Sequence, residues 1–461
     1  MTVTEQAPPR QRASEPRIDI DIATTRPGTP GGIFMRQFWH AVCRSRDLPG
    51  GSAKPLRIMS EDFAIYRTQA GVPQVIAYRC PHRGAPLHLG WVENETIRCV
   101  YHGWKFDRCG QCVEQPAEEA EFARKVTLKT YPTREYLDLV FAYFGDGEPP
   151  PFPHFPHRTT PGLIQVWNVE QVPCNYLQSF ENSMDEVHVA FTHEPGGSHA
   201  KLSADLPIIT AEETDWDMLR FGTHRTGKVR QTLHYAPNVT RVIVPPLAGM
   251  DGVGGWSEIY FSFTPIDDEN HLWLITSHVE VTGKDAEAYK AKRAEYDRKV
   301  AVAPPVMDVV RDIWSGKLRF AEVTHPDLAV VQDIAVQAGQ GRIEDRQSER
   351  LGRSDAGIIL WRKILTRELR AIAEGRRRRN GRRRRPTSCR RWGFSKRGCC
   401  ASPLSASQGA DNQPGVFFPT KSRGGGGTDG LAEFFSSRTP YEFSLTCIII
   451  AFGLIIILLL L

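Results

Sequence analysis

From Phe34 to about residue 148, short apolar runs alternate with turn residues. AIYRT (64–68), QVIAYRC (74–80), TIRCVYHGWKF (96–106) and DLVFAYFG (138–145) have the period-two pattern of strands. Helical periodicity is scarce there, which predicts a small all-β domain over 34–148. The polar, Pro-containing residues 1–30 before it read as a flexible arm. GEPPPFPHFPHRTTPG (147–162) reads as the linker that ends the domain. The second domain, 149–375, opens with the helix-like CNYLQSFENSMDEVHVAFTH (174–193). LPIITAEE, DMLRFGTH, VRQTLHYA, TRVIVP, WSEIYFSF and HLWLITSHVE follow as about six strands of one antiparallel sheet. A charged helix over 284–301 and an amphipathic helix over 355–375 complete it, the latter closing at Gly375. The predicted class is α+β, with no internal repeats.

Beyond 375 the text changes character. Residues 376–442 are low-complexity, basic and Gly-rich, and 443–461 (FSLTCIIIAFGLIIILLLL) hold 19 residues without a charge. These read either as a membrane anchor behind a basic spacer or as a non-native extension. The tail carries 15 Lys/Arg and 4 Asp/Glu, a net of +11. The rest of the chain holds 43 and 49, a net of −6. The body is therefore mildly acidic and offers no broad basic face for nucleic acid. The ten cysteines form no secreted disulfide pattern, and the N-terminus lacks an apolar signal region. A reducing cytoplasm is expected, with tethering by 443–461 as the alternative.

Candidate chemistry begins at CPHRGAPLHLGWVENETIRCVYHGW (80–104), where each of two loops supplies one cysteine and one histidine: Cys80-Pro-His82 and Cys99-Val-Tyr-His102. Structural zinc sites usually pair Cys with Cys and His with His. A two-iron cluster accounts for the mixture, with two thiolates on one iron and two imidazoles on the other. Cys109-Gly-Gln-Cys112 nearby reads as ordinary loop thiols, and His88 as a packing residue. A second constellation lies in FENSMDEVHVAFTHEPGG (180–197). Asp185 and His188 share a helix face. His193 converges with His188 only if the helix ends or bends there. Two imidazoles and a carboxylate are the donor set of non-haem Fe(II) oxygenases, which leaves coordination positions open for O₂.

CPHRGAPL…CVYHGWKFD resembles a Rieske [2Fe–2S] domain, and the D-x2-H-x4-H that follows resembles the α subunits of Rieske non-haem iron oxygenases. The resemblance spans about residues 34–375 and is closest to the phthalate-dioxygenase-like branch, which includes aryl O-demethylases. It implies a catalytic domain of helix-grip, START-like form. It also implies that Cys80 and Cys99 hold one cluster iron, that His82 and His102 hold the other, and that His188 and His193 bind mononuclear Fe(II). Asp185 would then bridge His188 to His102 of a neighbouring subunit, with Asn182 beside the iron. The third iron ligand would be a late carboxylate: Asp327 in HPDLAVVQDIAVQ, with Asp333 and Glu322 as runners-up.

The implied enzyme is a terminal oxygenase, a mono- or dioxygenase acting in aromatic catabolism. It would use O₂ to hydroxylate or O-demethylate an aromatic substrate, carboxylated ones included. Electrons would come from a separate NAD(P)H reductase, with or without a ferredoxin. The sequence itself has neither a GxGxxG after a strand nor a flavin-binding pattern. The branch forms head-to-tail homotrimers. The rival reading is a non-catalytic Rieske electron-transfer or regulatory protein. It would not need Asp185, His188, His193 and a late aspartate. Arg220, Arg230 and Arg241 are candidate grips for a substrate carboxylate, but each reads as a surface charge.

Overall fold

The computed structural model describes residues 20–153, 162–193, 206–214, 217–244 and 257–376. The chain separates into two compact units, 1–401 and 402–461, and every described residue lies in the first. The predicted tail and its apolar segment fall outside the described residues, except for Arg376. Among the described residues no helix is long and apolar enough to cross a membrane.

Period-two patterning over 34–148 forms strands as expected. They are β1 (Trp39–Arg44), β2 (Ala53–Ile58), β3 (Glu61–Arg67), β4 (Pro73–Ala77), β5 (Trp91–Glu93), β6 (Thr96–Arg98), β7 (Lys105–Phe106), β8 (Cys112–Glu114), β9 (Thr130–Tyr131), β10 (Thr133–Tyr136) and β11 (Leu139–Tyr143). They make three antiparallel sheets, ordered β1-β11-β10, β2-β3-β4-β9 and β5-β6-β7-β8. A six-residue helix, α1 (Pro30–Met35), precedes them and a single turn, α2 (Ala120–Ala123), interrupts them. The expected flexible arm is corrected in part. Residues 20–30 pack onto the body, with Thr25 1% exposed and its amide donating to Asp268 at 2.7 Å.

The second domain is built on a seven-stranded antiparallel sheet ordered β12-β18-β17-β16-β15-β14-β13. Its strands are β12 (Leu163–Val172), β13 (Ile208–Glu213), β14 (Asp217–Thr223), β15 (Val229–Tyr235), β16 (Val239–Val244), β17 (Ser257–Pro265) and β18 (His271–Val279). Six match the predicted runs. The seventh, β12, follows directly on the Pro-rich linker and was not separated from it by pattern. Successive side chains point to opposite faces, and both faces are covered. Tyr260, Leu274 and Val239 pack against Trp39, Phe141 and Tyr143 of β1 and β11. Ile259, Phe263, Ile275, Val242 and Met218 join the helices in the main core.

Those helices are α3 (Tyr176–Asn182), α4 (Val187–Thr192), α5 (Gly283–Val302), α6 (Val306–Trp314), α7 (Leu328–Gln337) and α8 (Ala356–Ala373). The core-facing stripe of α8, including Trp361, Leu365 and Leu369, is buried. α5 buries only Ala286 and Tyr289, as its charged sequence implied. α3 is fixed by Phe180, edge-on to Trp361 at 5.1 Å, and by Glu181, whose carboxylate receives Arg362 at 2.6 and 2.9 Å. These contacts fix α3 on α8, and Asn182 at its end faces Asp333 of α7.

Candidate metal centres

The two Cys/His loops share one backbone plan. Cys80 N donates to Ala85 O and Gly84 N to Cys80 O, at 2.8 and 2.9 Å. Cys99 N donates to Trp104 O and Gly103 N to Cys99 O, at 2.8 and 3.0 Å. Each loop turns through a glycine in the left-handed region, Gly84 at φ 75° and Gly103 at φ 76°, a conformation costly for other residues. The repeat brings both cysteines inward, each 2% exposed and in no disulfide. Burial pushes the Cys80 thiol up to about 12, with the adjacent Cys99 adding to it. Thiols this buried become thiolates only with a cation to neutralise them.

The histidines lie further out. His82 stacks on Trp104 at 4.4 Å and meets His102 edge-on at 4.5 Å. The Nδ1 of His82 is buried without a hydrogen-bond partner, as expected of a nitrogen whose partner is a metal. His102 is exposed, beside Tyr101 at 54% and Val100 at 41% exposure. The donor set is thus thiols inside and imidazoles outside, the separation a two-iron cluster requires. Cys112 is buried with its thiol toward Glu114 O, and His88 stacks on Tyr78.

The second centre forms where α4 and α7 meet. α4 stops at Thr192, so His193 sits past its end and its ring turns back toward that of His188, centroids 5.6 Å apart. The carboxylate between them is that of Asp333. Its Oδ1 lies 3.6 Å from His188 Nε2 and 3.4 Å from His193 Nε2. Among the described residues these three form the one set of His, Cys or acidic donors within 4.8 Å of one another. The far nitrogens face outer groups: His193 Nδ1 is 3.0 Å from Gln332 Oε1, whereas His188 Nδ1 lies 3.6 Å from Asp185 Oδ2, close enough for electrostatic attraction but not for a hydrogen bond. Both rings therefore present Nε2 to the centre, the arrangement in which outer partners set tautomer and aim. Burial works to lower the His193 pKa, but Asp333 outweighs it and the net is a rise. The pair thus favours positive charge between these nitrogens, and a divalent cation would supply it.

Asp327, the favoured late carboxylate, is corrected by this geometry. It stands at the start of α7, six residues before Asp333 and about 240° around the helix. Its carboxylate accepts the Tyr296 hydroxyl instead. Glu322 is exposed and pairs with Arg319. Asp185 does two local jobs. Its Oδ1 accepts the Val187 amide at 2.7 Å at the start of α4, while Oδ2 faces His188. Burial alone would raise its pKa, yet His188 and the capped amides bring it below the usual value. Asn182 Nδ2 lies 3.4 Å from Asp333 Oδ1 and 3.5 Å from His188 Nε2.

Gln332 was missed in the sequence; the one cue was its place beside an aspartate in a buried helix. Glu186 was missed as well. Arg220 is not a surface charge. It is 2% exposed and paired with Glu186. Arg241 pairs with the buried Glu258.

Residues 38–132 match the family described as the Rieske [2Fe-2S] domain. The chain is 30% identical over 370 residues to the 5,5'-dehydrodivanillate O-demethylase oxygenase subunit of Sphingobium sp., covering 77% of this chain and 80% of that one. It is 28% identical over 380 residues to the phenoxybenzoate dioxygenase subunit alpha of Ectopseudomonas oleovorans, covering 77% and 86%. Its fold resembles the oxygenase in the oxygenase–ferredoxin complex of carbazole 1,9a-dioxygenase, with TM-score 0.52 and 20% identity over 75% of this chain and 94% of that one. With a Rieske domain, a mixed sheet-and-helix second domain and kinship to oxygenase subunits over 77% of its length, the chain belongs to the Rieske non-haem iron oxygenases and is an oxygenase of that family.

Proposed function

We propose that the chain is the terminal oxygenase of a multicomponent system, inserting oxygen from O₂ into an aromatic substrate. The observation that carries this reading is the convergence of His188 Nε2, His193 Nε2 and Asp333 Oδ1. An electron carrier or regulator that kept only the Rieske domain would have no use for it. In this reading Cys80 and Cys99 hold one iron of the cluster, His82 and His102 hold the other, and the three converging groups hold Fe(II). When bound, that Fe(II) supplies O₂ activation with electrons delivered singly through the cluster.

The chain's own residues do the rest. Asp185 and Gln332 hold the two imidazoles with Nε2 turned inward. Asn182 places an amide beside Asp333 and His188. On the α3 side of the sheet Phe261, Phe263 and Trp273 pack within the main core, with centroids 5.8–6.3 Å apart. Kinship with the dehydrodivanillate demethylase favours a methoxylated aromatic acid and O-demethylation. Electrons come from a separate NAD(P)H reductase, directly or through a ferredoxin.

The proposed assembly is a head-to-tail homotrimer, a heterologous ring that closes. Apolar side chains exposed around each centre support it: Leu89, Trp91, Val100 and Tyr101 at the cluster, Phe191 and Ile208 by the second centre. Across such a contact Asp185 links His188 to the neighbour's cluster.

The test supplies the reconstituted chain with a flavin reductase and NADH, and follows O₂ uptake and formaldehyde over methoxylated and unsubstituted aromatic acids. Formaldehyde matched to O₂ is the expected result. Uptake with a cis-diol instead would move the reaction to ring dioxygenation. No substrate-dependent uptake across the panel would sink the oxygenase assignment for aromatic acids.

A further inference from the structure

α4 presents a positional problem. It carries His188 and aims His193, yet it is six residues long and buries only Ala190. Phe191 on it is 59% exposed. So short a helix does not hold itself in water, and one buried alanine cannot set its place to the accuracy a metal triad needs. Something else must fix it.

Glu186, the residue immediately before α4, is 6% exposed although it is ionisable. A carboxylate is buried at this depth only when paired. Arg220, 2% exposed in the middle of β14, forms a close ion pair with Glu186 Oε2. His224 Nε2 lies 3.3 Å and Arg230 Nη1 3.9 Å from Oε1. Arg220 is itself held by Thr232 Oγ1 at 2.6 Å on the neighbouring strand. The sheet has made room for this carboxylate. Gly222 sits inside β14, where glycine weakens a strand. A Cβ built there would stand 2.2 Å from Glu186 Oε2. The glycine and the buried carboxylate explain each other.

We infer that Glu186 is a positioning residue for the second metal centre: docked into the Gly222 gap and held by Arg220, His224 and Arg230, it pins the start of α4 to the sheet. Asp185 and Glu186 then divide the labour. The first caps the helix and orients the His188 ring, and the second anchors the backbone that carries both. Since the inference rests on reading His188, His193 and Asp333 as the metal site, its test must separate the two.

The experiment uses the full chain with its cluster in place and the second centre emptied of iron, titrated with Co(II) and followed by the cobalt visible bands. Asp333→Ala is the control for the site: cobalt binding indistinguishable from wild type in that variant would overturn the site reading and this inference with it. Given a site that depends on Asp333, Glu186→Gln is expected to bind Co(II) about tenfold or more weakly, with altered bands and an unchanged cluster spectrum. Gly222→Ala crowds the carboxylate without changing any charge and is expected to act in the same direction more mildly. Wild-type affinity and band shape in both variants would overturn the inference. So would a parallel loss of cluster and cobalt signals, because the effect would then be general unfolding and not positioning.

Discussion

Asp327 and Asp333 stand six residues apart on α7, and only the second reaches the histidines. Position on the helix decides this. Asp333 shares its turn with the buried Gln332, Ile334 and Ala335 and faces α4, whereas Asp327 is drawn to Tyr296 on α5. Asp333→Ala should therefore take iron from about three to about two per chain, the two belonging to the [2Fe–2S] cluster, and abolish turnover. Asp327→Ala should keep all three. Iron analysis beside the cluster's visible absorbance checks both, and iron lost from the Asp327 variant with the cluster intact would restore the original assignment. The proposed cluster ligands pose a different problem. Cys80, His82, Cys99 and His102 lie in two short loops where local spacing already constrains geometry. A ligand 140 residues from its partners is constrained only by packing.

At the scale of elements, the contact between β12 and the start of α7 holds a testable electrostatic strain. Glu170 on β12 is pushed up to about 7, first by burial and then by the negative charge of Asp327. A carboxyl whose folded pKa exceeds its unfolded value favours the protonated folded state. Its stabilising effect is complete below about pH 4.5 and is lost as pH rises through about 7. Asp327→Asn removes one source of the shift. The variant should lose less stability than the wild type between about pH 5 and pH 8, measured by urea unfolding at each pH. Parallel pH curves would show that Asp327 does not act on Glu170. Glu344, also raised to about 7 by burial and by Glu349, is common to both proteins and cancels in the comparison. The sheet itself was largely legible, because alternation marks strands. β12 was not, since it follows a Pro-rich stretch. α6 was not named as an element either, whereas the resemblance did imply a helix starting at Asp327, where α7 begins.

For the whole molecule, the proposed ring makes a quantitative claim. A chain without the cluster, Cys80→Ser, and a chain without the second metal, His188→Ala, should each be inactive alone. Co-expressed in equal amounts they should recover about a quarter of wild-type activity if electrons cross to a neighbour's iron in a one-directional ring. No recovery from mixed trimers would place electron transfer within one chain. Asp185→Asn, with both centres still loaded, should slow the same transfer. By itself the sequence determined the two loop motifs, the order of the domains, the alternating strands and the pair of histidines on one short segment. These are local: each is set by spacing within some twenty-five residues. Tertiary structure decided which carboxylate lies between the two histidines, which faces of the sheet are covered by what, and that Arg220 serves Glu186 and not solvent. Those depend on contacts between residues tens to more than a hundred positions apart, where the packed core, and no local period, sets the distance.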